Sequence, residues 1–112
     1  MRCAVPVNGD MVSMHFGHCE SFAFFDVDEV NKEITNKEIM APPGHQPGVL
    51  PAWLAEQGVS VVIAGGMGSR AQGLFNQNSI KVAVNVLETN PEKAVMSFIG
   101  GTLEIGDDVC DH

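Results

Sequence analysis

The sequence predicts a single α/β domain, a mixed sheet of about five strands with about three helices against it. Three observations carry this. Strand-like and helix-like segments alternate in the order β-β-β-α-β-α-β-α. The run Val59-Ser60-Val61-Val62-Ile63-Ala64 is nearly apolar on both faces, as a central parallel strand requires. The chain has 112 residues, enough for one domain and too few for two. A hairpin followed by two crossovers gives the strand order 3-2-1-4-5, with strand 2 antiparallel.

Each element has a local reason. Residues 2–7 form a short apolar strand with Pro6 near its end, and Asn8-Gly9-Asp10 is a turn signal. Residues 11–20 read as irregular. Residues 21–27, rich in phenylalanine, make a second strand, and Asp28 to Lys32 turns the chain into a third, polar strand over 33–40. The imperfect alternation of that third strand marks an edge. Ala41 to Gly48 holds three prolines and is a loop. A helix over 49–57 carries Leu50, Trp53 and Leu54 on one face and ends at Gly58. After the central strand, Ser69 can cap a helix over 70–77. A strand over 80–85 follows, then a helix over 91–99 capped by Asn90, with Pro91 at its first position and Gly100-Gly101 as its stop. One domain spans 1–112, with 102–112 expected as a flexible tail.

Composition narrows the function. Fourteen acids against six bases give a formal charge of −8, so the Lys/Arg patch needed to neutralise phosphates is missing. Nucleic acid and anionic membranes are therefore excluded as expected partners, and low aromatic content disfavours base stacking. No apolar run approaches the ~20 residues of a membrane span. The opening Met1–Val7 run is too short for a signal-peptide core. Three cysteines, an odd count, argue against a disulfide framework. The simplest placement is cytoplasmic.

Four segments could carry chemistry. His15-Phe16-Gly17-His18-Cys19 puts three N/S donors within five residues, a donor set that suits late first-row metals and metal–sulfur clusters. The plainer reading is a polar loop whose histidines bond locally. His45 stands in a proline-stiffened loop, where rigidity serves a binding site or merely a tight connection. Gly65-Gly66-Met67-Gly68-Ser69-Arg70 leaves the central strand and opens a helix, where free backbone N–H groups and the helix dipole favour an anion. Arg70 adds a full positive charge there. The segment is neither a Walker loop nor a dinucleotide fingerprint. Its plainer reading is a turn with a helix cap. The ending Cys110-Asp111-His112 offers two further donors, or simply a frayed end. Cys3, inside a strand, reads as a small buried hydrophobe.

His15-Phe16-Gly17-His18-Cys19-Glu20-Ser21-Phe22 after a strand, and Val61 to Ala71 later, resemble the dinitrogenase iron–molybdenum cofactor biosynthesis family. That family includes NifX-like carriers, the C-terminal domain of NifB, and small stand-alone proteins such as the orange protein, which holds a molybdenum–copper sulfide cluster. The resemblance covers residues 1–105 and implies a ribonuclease H-like fold. It implies a non-enzymatic binder, carrier or store of an anionic metal–sulfur cluster, of iron, molybdenum or copper, with cluster donor and acceptor proteins as partners. Carried over by position, the cluster site comprises His15, His18, Cys19, His45 and Gly65 to Arg70, with metal contact from the histidines and Cys19 and a remoter contribution from Cys110 and His112. Two other readings stand beside it: a cluster-free regulatory or interaction domain, and a small enzyme using the glycine-rich turn as an anion site.

Overall fold

The computed structural model of the chain describes residues 1–14, 16, 19–43 and 49–103. His15, His18, His45, Cys110 and His112 lie outside the described residues. The elements are β1 (Arg2–Asn8), β2 (Met11–Val12), β3 (Ser21–Asp28), β4 (Glu33–Met40), α1 (Val49–Glu56), β5 (Val61–Ile63), α2 (Ser69–Gln77), β6 (Lys81–Ala83) and α3 (Pro91–Gly100). Five strands lie in the order β4-β3-β1-β5-β6, and β2 joins β1 off this path. β3 is antiparallel to both β1 and β4, while β5 is parallel to β1 and β6.

The sheet thus has six strands where five were expected. The additional one, β2, is two residues long, too short for a periodicity to register, and pairs Val12 with Val7 and Met11 with Asn8. The uneven alternation of β4 has a structural cause. A bulge between Asp26 and Val27 skips Thr35, so Val27 faces Ile34 while Phe22 still faces Met40. Ile34 is thereby switched onto the opposite sheet face from Met40 although both positions are even.

Both faces of the sheet are covered. α1 and α2 pack on one, over Ala4, Phe22, Phe24 and Val62, with Leu54 and Phe75 fully buried. α3 packs on the other, where Ala94 and Val95 meet Cys3, Val5, Phe25 and Ile63. Each helix ends in a paired backbone closure. After α1, Gly58 (φ +81°) donates to the Ala55 carbonyl and Val59 to that of Leu54. Gly101 (φ +75°) and Thr102 repeat the pattern on Phe98 and Ser97. After α2 the left-handed position falls on Ser79 (φ +61°), a residue with a Cβ, and Ile80 closes onto the Phe75 carbonyl. At the start of α3 the Asn90 side chain accepts from the Lys93 N–H at 3.0 Å, as expected. At α2 the expectation fails. Ser69 is the first helical residue, Gly68 occupies the cap position, and no side chain among the described residues caps the helix.

Candidate functional site

The site begins with Pro6. Carbonyls of even-numbered β1 residues face the β5 side, where Arg2 accepts from Ser60 and Pro6 from Ser13. Pairing of β1 with β5 extends only to Ala4 against Val62. Pro6 has no N–H with which to continue that ladder. Beyond it Ser13 and Met14 lie between β1 and the turn after β5, Ser13 donating to Pro6 and Met14 accepting from Gly66. This is the point where the sheet order reverses direction from β1, the position at which open α/β sheets take ligands.

The inserted segment is pinned against the glycine turn. The Gly66 N–H donates to the Met14 carbonyl at 2.7 Å, and the Phe16 N–H donates to the Gly66 carbonyl at 2.9 Å. The residues flanking His15 are therefore both tied to Gly66. Contact is so close that a Cβ on Gly65 would lie 2.6 Å from the Ser13 carbonyl oxygen and 2.9 Å from that of Met14. On its other side, the Gly65 carbonyl accepts from the Asn85 N–H at 2.9 Å. Glycine is needed at 65 for space, and its backbone angles are ordinary.

Two further devices hold the loop. Asn8 accepts from the Glu20 N–H at 2.7 Å through Oδ1 and donates from Nδ2 to the Ser13 hydroxyl at 3.2 Å, closing the base of the segment. Phe16 inserts into the core as an anchor, edge-on to Phe22 (5.8 Å) and Phe75 (5.3 Å).

The named candidates separate by environment. Met67 is buried in the same apolar cluster as Phe16, so its thioether belongs to packing, and its carbonyl accepts from the Gln72 side chain at 3.0 Å. Cys19 is also in that cluster and only 4% exposed. Burial pushes its thiol up to about 11, with a backbone hydrogen bond opposing in part. Without a metal that thiol stays protonated near neutrality, so binding a metal there would release its proton. Gly68, Ser69 and Arg70 are exposed at the uncapped start of α2. Arg70 makes no ion pair among the described residues. A cation at a helix N-terminus is unfavourable to the helix dipole unless an anion joins it. Among the described residues no group of three His, Cys, Asp or Glu is placed to hold a metal ion.

Three contributors were not legible from spacing. Asn8 reads as part of a turn, Phe16 as a spacer between histidines, and Asn85 as a strand end. The signal available for Phe16 was its size: a large apolar residue amid polar ones needs somewhere to be buried.

The class these features define is a single α/β domain, with a mixed six-stranded sheet and three helices, whose loops meet at the sheet's switch point. The chain belongs to the dinitrogenase iron-molybdenum cofactor family, whose model matches residues 1–101. It is 33% identical over 109 residues to the protein MJ0580 of Methanocaldococcus jannaschii, covering 93% of this chain and 90% of that one. Among solved structures it is similar to PH0822, with a TM-score of 0.86 and 34% identity over 96% of this chain and 98% of that one. It is also similar to the apo form of the orange protein from Desulfovibrio gigas, with a TM-score of 0.73 and 25% identity over 94% and 92% of the two chains. The membership implied by the two motifs therefore holds.

Proposed function

We propose that this protein binds and carries an anionic metal–sulfur cluster as cargo, without turning it over, at the switch point between the 13–19 segment and the start of α2. One observation carries the reading: the reciprocal hydrogen bonds of Gly66 with Met14 and Phe16, which tie the two residues flanking His15 to the turn that leads into α2 and Arg70. Membership of a family concerned with the iron-molybdenum cofactor, and similarity to the orange protein, support the same ligand class. An anion would be met by the first N–H groups of α2 and by the Arg70 guanidinium, with His15, His18 and His45 contributing imidazoles around it. Cys19, protonated in the core, supports the loop from beneath, and the cluster is retained mainly by anion contacts. Cys110 and His112 are secondary donors in this reading, and donor and acceptor proteins for the cluster are its partners. The strand order and the antiparallel β3 favour placing the fold with the ribonuclease H-like domains. The free, buried Cys3 and Cys19 are in keeping with a reducing, cytoplasmic setting.

The test is anaerobic incubation with tetrathiomolybdate, or with iron and sulfide, followed by desalting. Metal and sulfide should elute together with the protein and give a visible absorption band. If both are lost on desalting and no band remains, the carrier reading is wrong and the interaction-domain reading takes its place.

A further inference from the structure

A second concavity lies on the opposite face of the sheet, where α3 packs along β1 and the edge strand β4 is left exposed. It is a cleft of about 470 Å³ between the first turn of α3 and the hairpin. Its floor is apolar, with Val7 and Ala23 buried and Ile39 of the edge strand 54% exposed. Its rim carries Asp10 and Glu20, both exposed and in no ion pair among the described residues. The remaining charges there are already matched. Lys37 pairs with Glu92 across the cleft, and its ammonium stands 5.7 Å over the Phe25 ring. The cleft therefore combines a half-covered aliphatic floor with two unmatched carboxylates.

We infer that this cleft docks a basic, extended segment of a partner protein, with an aliphatic side chain laid over Ile39 and a lysine or arginine beside Asp10 and Glu20. Charge complementarity selects the occupant. A net charge of −8 repels acidic partners, and among the described residues the only cation lining the cleft is committed to Glu92. Position gives the docking a consequence. Glu20 directly follows Cys19, and its N–H is the one held by Asn8 and by the Val7 carbonyl. A partner seated here bears on the base of the segment whose far side is tied to Gly66. The inference goes beyond the cluster reading and does not depend on it, because the cleft lies on the other sheet face.

The test uses the full chain without metal, so its outcome is separate from that of cluster uptake. The probe is a synthetic peptide alternating lysine and isoleucine, with a glutamate–isoleucine counterpart as control, followed by amide correlation spectra. The basic peptide should shift the amides of Ser21 to Ala23, Lys37 to Ile39 and Glu92 saturably, and more weakly as salt is raised. The control should shift nothing. Asp10→Asn combined with Glu20→Gln should raise the dissociation constant about five-fold, as two exposed ion pairs would give. These side chains are exposed and the Glu20 clamp uses its backbone, so the variant keeps the fold. Shifts scattered over the surface, an equal response to the acidic peptide, or an unchanged constant in the double variant would each overturn the inference.

Discussion

Replacing Gly65 with alanine tests how the site is built. The added Cβ would stand 2.6 Å from the Ser13 carbonyl oxygen, where ordinary contact begins at 3.4 Å, so one side must retreat by 3.4 − 2.6 = 0.8 Å. All three nearest atoms are backbone, which leaves no side chain to swing away. The retreat acts on the hydrogen bonds of 2.7 and 2.9 Å that join Gly66 to Met14 and Phe16. Lengthening them by 0.8 Å takes them to about 3.5 and 3.7 Å, both beyond the roughly 2.7–3.2 Å of an N–H···O hydrogen bond. At about 0.5–1.5 kcal/mol per bond, with strain in a packed region added, the variant should lose about 2–3 kcal/mol. That is a large share of the roughly 5–15 kcal/mol of a typical domain. The assay is urea unfolding followed by Trp53 fluorescence. Trp53 lies edge-on to Phe22, which in turn touches Phe16. Gly73→Ala is the matched control. It lies inside α2 with nothing within 4 Å of the new Cβ, and should gain about 0.5–1 kcal/mol. A loss below about 0.5 kcal/mol for Gly65→Ala would refute the argument that the loop and the turn are in compulsory contact.

Further outcomes follow from the same geometry. Ser79→Gly should stabilise the domain by about 0.5–1 kcal/mol, since Ser79 holds φ +61° at the close of α2; an unchanged or lower urea midpoint would contradict this. Arg70→Ala should leave stability within about 0.5 kcal/mol of wild type and reduce retention of tetrathiomolybdate-derived metal; a lower midpoint with unchanged retention would make Arg70 structural. Burial raises Cys3 and Cys19 from an ordinary 9.0 to about 11. The unfolded chain therefore loses these protons first as pH rises, so stability is full below pH 9 and falls between about pH 9 and 11, by up to about 1.4 kcal/mol per pH unit for each thiol. Urea midpoints that stay flat across that window in wild type, or fall equally in a Cys3→Ala, Cys19→Ala double variant, would show that these thiols do not carry the effect.

Much of this was legible in the sequence, for identifiable reasons. β5 announced itself because a strand covered on both faces must be apolar on both. α3 carried its own signals in Asn90, Pro91 and Gly101. The glycine turn was recognisable as a helix opening, but its cap was misassigned. Ser69 has the side chain of a cap, yet the helix starts at Ser69 itself and Gly68 precedes it. The short β2 and the β3–β4 bulge were hidden because each depends on a partner strand, and pairing register is not a local property. Cys19 shows the same limit at the site. Beside two histidines its spacing suggests a ligand, and nothing local shows that it is buried in a cluster completed by Leu54, Val62 and Phe75, which are distant in sequence.

The most direct test of the central claim is where the cluster binds. Amide correlation spectra of the protein should be compared before and after anaerobic loading with tetrathiomolybdate, on a desalted sample whose metal and sulfide contents are known. The account predicts that Ser69, Arg70 and Ala71, whose N–H groups open α2, change most, together with Met14 and Phe16 across the glycine turn. Loaded protein with those amides unmoved, and changes confined instead to the β3–β4 turn around Val30 or to the cleft beneath α3, would contradict it.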